Sequence, residues 1–215
     1  MQISSSPLVA AAVARRLLTL EAVKLNPRSP FQWASGWKSP IYCDNRITLS
    51  DVDTRQFIKR ALAEFIQSNF PEVGGIAGVA TAGLPQGALV ADKLGLPFIY
   101  VRSKAKAHGR QNQIEGNISK GKNWVVLEDL VSTGGSSLAA VDALRETGAN
   151  VEGLAAIFTY GLPLAVQNFE DAKVKWGALS HYDALIGEAQ ERGIIQSQML
   201  DTLRAWKENP SEWKG

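Results

Sequence analysis

The fifteen residues from Trp124 to Leu138, W-V-V-L-E-D-L-V-S-T-G-G-S-S-L, constrain the fold more than any other stretch of the chain. Trp124, Val125, Val126 and Leu127 form an apolar run rich in β-branched side chains, the pattern of a buried strand. Two adjacent carboxylates follow, Glu128 and Asp129. Next come Ser132-Thr133-Gly134-Gly135-Ser136-Ser137, after which Leu138, Val141 and Leu144 recur at helical spacing. The glycines allow positive φ and close approach of a ligand. A turn that opens a helix points unpaired N–H groups at one spot, and the helix dipole favours an anion there. Thr133, Ser136 and Ser137 can add hydroxyl donors, which predicts a cradle for one phosphate group. Carboxylates beside such a cradle repel phosphate, so Glu128 and Asp129 must serve another part of the ligand, such as ribose hydroxyls or a divalent metal ion. An Asp that merely caps the next helix would explain a Gly/Ser turn alone; strand and acidic pair together favour a site for a ribose phosphate.

At 215 residues the chain can bury a full core as one domain spanning 1–215, and 45% hydrophobic against 20% charged residues argues against disorder. A formal charge of +2 excludes a chain built around nucleic-acid binding, so basic patches have to be judged locally. The single cysteine, Cys43, excludes an intrachain disulfide and a multi-Cys metal site, and reads as a packing residue. No apolar run reaches membrane-spanning length, so no membrane partner is expected. The Leu8–Ala14 run lacks a preceding positive residue and ends in Arg15-Arg16, the wrong layout for a signal peptide. A cytoplasmic protein is the expectation.

Val9, Val13, Leu17, Leu20 and Val23 share a face and predict an amphipathic helix over 7–25, opened by Pro7. Residues 31–46 carry aromatics among Gly and Pro, which predicts short antiparallel strands forming a hood within about 1–50. Its aromatic faces beside Lys38 and Arg46 can hold a flat anionic base, and they suit a satellite core cluster equally well. From about 51 to 215 the chain reads as a core with C-terminal helices. Asp51 caps a helix whose buried stripe is Val52, Phe57, Ile58, Leu62, Phe65 and Ile66. Ile76–Ala80 is a strand running into Thr81-Ala82-Gly83-Leu84-Pro85-Gln86-Gly87, a second Gly-rich turn before a helix over 88–94. That turn either offers N–H donors to a second phosphate or is simple punctuation.

Phe98–Val101 is the next strand. The segment after it, Arg102-Ser103-Lys104-Ala105-Lys106-Ala107-His108-Gly109-Arg110 with Gln111 to Gly116, holds four cationic residues, a histidine and almost no apolar anchor. Placed a strand away from a phosphate cradle, such a loop suits a lid over pyrophosphate. Gly116 to Asn123 nearly spells a nucleotide-binding glycine loop, but Asn123 stands where a Ser or Thr belongs and the segment precedes a strand. Strands over 151–160 and 174–179 and helices over 164–169, 182–192 and 197–207 complete the chain, with Gly148 as a helix C-cap and His181 structural. This α/β alternation predicts a parallel twisted sheet flanked by helices on both faces, with both Gly-rich turns and the basic loop at the carboxyl ends of strands.

The Trp124–Leu138 stretch resembles the signature of type I phosphoribosyltransferases, which bind phosphoribosyl pyrophosphate there. F-x-W-A-S-G-x-K-S-P-I-Y-C-D-N-R, R-S-K-A-K-A-H-G with N-Q-I-E-G, L-S-H-Y-D-A-L-I and W-K-E-N-P-S-x-W together resemble the orotate-using branch of that family over most of the chain. The resemblance implies transfer of phosphoribosyl to orotate, giving orotidine 5′-phosphate and pyrophosphate in pyrimidine nucleotide synthesis. It implies that Arg102, Lys106 and His108 meet the pyrophosphate, and that Glu128, Asp129, Leu130, Val131, Ser132, Thr133, Gly134, Gly135 and Ser136 hold the ribose and 5′-phosphate. Ser132, with Lys38 and Tyr42 of the hood, would contact orotate; Lys106, His108 and Asp129 would be catalytic. Mg²⁺ would be held mainly by phosphoribosyl pyrophosphate, near Glu128 and Asp129, with no direct protein ligand assigned. A homodimer sharing loop 102–116 across subunits is also implied.

The chain departs from some members at Ala34 and Ala82, where they have lysine, and at Ser103, where they have a second lysine after the loop arginine. An orotate-binding arginine that others carry after the strand ending near Tyr160 is absent. A transferase acting on a purine base is the nearest alternative, and the hood sequence argues against it. A non-catalytic regulator keeping the cradle as a sensor would need a nucleic-acid-binding segment, for which charge and length leave no room.

Overall fold

The computed structural model describes residues 1–33, 36–103, 113–118 and 122–214. In chain order the elements are β1 (Gln2–Ser4), α1 (Pro7–Thr19), β2 (Val23–Leu25), β3 (Phe31–Gln32), β4 (Lys38–Ser39), β5 (Ile41–Cys43), α2 (Val52–Asn69), β6 (Val73–Val79), α3 (Gly83–Leu94), β7 (Phe98–Val101), β8 (Ile114–Glu115), β9 (Asn123–Val131), α4 (Gly135–Glu146), β10 (Asn150–Thr159), α5 (Pro163–Asp171), β11 (Trp176–His181), α6 (Tyr182–Glu191) and α7 (Leu200–Glu208). One sheet runs in the order β1-β11-β10-β9-β6-β7-β8. Its pairings are parallel except β7 with β8, which is antiparallel.

Apolar side chains leave both faces of this sheet and build two cores, as expected when crossover helices cover both sides. On one face Leu127, Ala155 and Leu179 pack with Val13 and Leu17 of α1, Leu62 and Ile66 of α2, Val90 of α3, Leu185 of α6 and Trp206 of α7. On the other, Val126, Leu154 and Trp176 pack with Val141 and Leu144 of α4 and Phe169 of α5. Phe169 and Trp176 stack at 4.5 Å. The expected doubly covered parallel sheet is therefore present.

Four local expectations change. The first helix stops at Thr19 instead of Leu25: Glu21 takes a left-handed φ of 53°, and Val23–Leu25 turns away to pair antiparallel with Ile41–Cys43. Leu20 and Val23 continue the helical spacing, but pairing with β5 outweighs that local pattern. β1 and α1 consequently belong to the main sheet and its helical layer, which leaves the hood as two small antiparallel pairs, β2 with β5 and β3 with β4. Val52 is 57% exposed because it opens α2 ahead of the buried stripe. Ile114, the apolar anchor of the basic segment, is buried on β8 opposite Val101 and closes a hairpin from β7.

The hood is fastened to the core by aromatic contacts. Trp33 lies 4.9 Å from Tyr160 at the end of β10 and 5.6 Å from Trp206 of α7, and Trp206 also meets Tyr182 at 5.3 Å. The Trp206 indole N–H donates to the carbonyl of Lys38 at 3.2 Å, joining α7 to β4. Removing a fully buried tryptophan from such a cluster costs about 3–5 kcal/mol. Trp206→Ala should therefore lower the urea midpoint by that equivalent; an unchanged midpoint would show that α7 does not hold the hood.

Candidate active site

The strand order reverses between β6 and β9: the chain goes outward from β6 to β7 and returns to β9 on the other side. Such a switch point opens a crevice at the carboxyl ends of the strands, with the following helices on opposite faces. α3 and α4 occupy those faces here. Neither helix start receives a side-chain cap. Both therefore leave first-turn N–H groups available to a ligand, at the positive end of each helix dipole.

Two glycines make this arrangement possible. A Cβ on Gly83 would stand 2.5 Å from the carbonyl oxygen of Leu127, so only glycine lets the start of α3 sit against β9. Gly134 has φ +85°, and a Cβ there would meet Phe169 at 2.7 Å. The turn before α4 is held through its backbone. Thr159 donates to the Val131 carbonyl at 3.1 Å, and Asn168 donates to the Thr133 carbonyl at 2.9 Å. With the loop fixed in this way, the hydroxyls of Ser132, Thr133 and Ser136 make no hydrogen bond among the described residues. The Val131 side chain is buried in the core. Ser137 is buried as well and donates to Glu128 at 3.5 Å, the long end of the range; it faces the acid, not the cradle.

β9 extends through Val131, so Glu128 and Asp129 are strand residues on opposite faces. Glu128 is 5% exposed and accepts the Asp129 N–H at 3.1 Å. The Asp129 carbonyl accepts from the Asn45 side chain of the hood at 2.8 Å. Burial, and then the charge of Asp129, hold the Glu128 carboxyl well above the usual range. Burial also raises Asp129, offset by hydrogen bonding from Glu128 and backbone N–H groups and by the charge of Arg46. Both carboxyls are therefore harder to ionise than free ones, Glu128 the more so.

Beside this pair lies a cleft of about 230 Å³ lined by Gln32, Trp33, Tyr42, Cys43, Leu130, Ser132 and Tyr160. It shares Leu130 and Ser132 with the cradle loop. Tyr42 and Ser132 are therefore brought together, whereas the Lys38 ammonium turns to the Lys214 carbonyl at 2.8 Å and the Arg46 guanidinium forks onto Asp44 at 2.7 and 2.8 Å. Of the hood aromatics, Trp33 packs on the core as a satellite cluster would and also lines the cleft. Cys43 donates its thiol hydrogen to Asn45 at 3.3 Å, and burial raises its pKa, in keeping with a packing role. A larger hollow of about 380 Å³ on the far side of Tyr42 carries Glu21 and Asp44 and none of the cradle residues.

Arg102 leaves the end of β7, hydrogen-bonds Gln113 through its backbone and lies 3.6 Å from Glu115. Lys104, Lys106, His108 and Arg110 lie outside the described residues. His181 caps α6, accepting from Ala184 N–H at 3.4 Å, a structural role as expected. Asn45 and Tyr160 escaped the sequence reading. Asn45 sat within a motif dominated by charge and aromatics, and Tyr160 read as the last residue of an apolar strand.

Residues 52–175 match the model of the phosphoribosyl transferase domain family. The chain is 54% identical to the orotate phosphoribosyltransferase of Cytophaga hutchinsonii, over 94% of this chain and 97% of that one. Its fold is similar to the crystal structure of orotate phosphoribosyltransferase from Aeropyrum pernix, with TM-score 0.74 and 28% identity, covering 86% of this chain and 99% of that one. Leishmania donovani UMP synthase shares the fold at TM-score 0.77 and 24% identity; the match covers 92% of this chain and spans 42% of that one.

The buried acid makes a signed prediction. A carboxyl whose folded pKa is raised favours the native state below its unfolded pKa, and that contribution is lost as pH rises toward the folded value. Glu128→Gln removes the loss, so its melting temperature relative to wild type should climb between pH 5 and pH 8 by ~2–4 °C, the shift that about 1 kcal/mol gives in a chain of this size. A difference that shrinks with pH would mean Glu128 is ionised in the free protein.

Proposed function

Because the chain belongs to the orotate phosphoribosyltransferase family, we propose that it transfers the 5-phosphoribosyl group of phosphoribosyl pyrophosphate to orotate, forming orotidine 5′-phosphate and pyrophosphate. The observation that carries this reading is the continuity of cradle and cleft through Leu130 and Ser132. A single ligand can reach from the phosphate-binding turn, past the acid pair, into a flat aromatic-lined slot.

In this reading the 5′-phosphate lies in the turn Ser132–Ser136, met by the N–H groups opening α4 and by the free hydroxyls. The ribose hydroxyls face Glu128 and Asp129. The start of α3 offers N–H donors to the pyrophosphate, and Arg102 approaches it from the end of β7, with Lys106 and His108 assigned to the same task. Orotate's ring nitrogen attacks C1 of the ribose as the pyrophosphate leaves. Positive charge grows on the sugar beside Asp129, and donors fixed in advance around the leaving group stabilise its developing charge. Loop closure over the site would exclude water as a competing nucleophile.

Among the described residues no group of three His, Cys, Asp or Glu side chains could hold a metal ion. Two adjacent carboxyl groups, too few for a metal centre held by the protein alone, fit a cation carried mainly by its substrate. Mg²⁺ bound by phosphoribosyl pyrophosphate near Glu128 and Asp129 would supply neutralising charge to the leaving group. A homodimer sharing loop 102–116, implied by the family resemblance, and a cytoplasmic setting, expected from the sequence pattern, complete the proposal.

Incubating the protein with phosphoribosyl pyrophosphate, Mg²⁺ and either orotate, adenine, guanine or xanthine tests the assignment. Pyrophosphate should be released rapidly with orotate and at background rate with the purines. Release with a purine and not orotate would overturn the reading.

A further inference from the structure

Two tyrosines flank the Trp206 ring, each 2% exposed: Tyr182 at 5.3 Å and Tyr160 at 5.7 Å between centroids. Tyr182 satisfies its hydroxyl by donating to the Leu203 carbonyl at 3.1 Å. The Tyr160 hydroxyl makes no hydrogen bond among the described residues. Its ring is buried, but its oxygen is not among the fully buried polar atoms left without a partner, so the hydroxyl opens onto accessible space where a partner can reach it. Its ring cannot swing toward one: Trp33 at 4.9 Å, Phe158 at 5.6 Å and Trp206 hold it on three sides.

What Tyr160 does face is the cleft, which it lines. Cys43, Asp129 and Tyr42 are the groups that act on the phenol most strongly after burial itself, and all three border or adjoin that space. Their effect and that of burial run the same way, keeping the group protonated and therefore a donor. None of the seven cleft residues carries a positive charge. Among the described residues, the cations of the hood are engaged elsewhere, Lys38 with the Lys214 carbonyl and Arg46 with Asp44. The described cleft walls meet an anionic base with neutral donors, and an O–H donated to a carboxylate is among the stronger hydrogen bonds available to it.

We infer that Tyr160 is a specificity-determining residue whose hydroxyl donates to the carboxylate of the incoming pyrimidine. The inference rests on the orotate reading above and deepens it. Tyr160 thereby separates a carboxylated base from uracil, which lacks that group.

Tyr160→Phe keeps the ring and deletes the donor. In the full-length protein the KM for orotate should rise by about tenfold or more, while the KM for phosphoribosyl pyrophosphate and the melting temperature hold and kcat falls far less than KM rises. Competitive inhibition by uracil should be the same in both proteins. An unchanged KM for orotate would overturn the inference, as would equal rises for both substrates or an equal loss of uracil binding, which mark a packing role. Wild-type protein that fails to use orotate at all would instead overturn the functional reading itself, before any variant is compared.

Discussion

The site depends on one steric and electrostatic constraint: β9 ends between two helix starts that no side chain caps. The α3 start can lie against β9 only because Gly83 has no side chain to collide with the Leu127 carbonyl. The α4 start can turn into its helix only because Gly134 tolerates a left-handed φ beneath Phe169. With both helices so placed, two positive dipole ends border the same few ångströms of strand. The acid pair sits in that field. Burying two adjacent carboxylates is costly; it pushes the pKa of both upward, and the Asp129 backbone is tied to the hood by the Asn45 amide.

That backbone link matters because the hood is small. Asn45 reaches from it to the Asp129 carbonyl, while Trp33 packs at a tilt against Tyr160 and stands near Trp206. The wall of the cleft and the acid pair are thus tied to the same core. A base bound in the slot and a ribose bound at β9 would be held in register by packing that lies outside both subsites. Neutral walls in the slot, with Lys38 and Arg46 turned away, leave hydroxyl and amide donors to recognise what enters.

Much of this was legible in the sequence because it is local. The apolar run before Glu128, the glycines after it, the Asp51 cap and the alternation of strands and helices each follow from residue chemistry over a few positions, and each is present in the fold. What was not legible depends on distant partners. Leu20 and Val23 keep helical spacing, yet Val23 joins a strand because Cys43 lies opposite it. Gln2–Ser4 becomes a sheet edge only because β11 offers a parallel neighbour. That the Lys38 ammonium meets the Lys214 carbonyl, 176 residues on, likewise has no local signal. Tyr160 gave no sign in the sequence that its hydroxyl would lack a partner, since that depends on three rings drawn from three separate segments.

A crystal structure with phosphoribosyl pyrophosphate bound tests the central claim most directly. The account predicts the 5′-phosphate within hydrogen-bonding distance, about 3 Å, of the N–H groups opening α4, with the ribose hydroxyls facing Glu128 and Asp129. Density for the phosphate at any other helix start, or a ribose turned away from the acid pair, would contradict it.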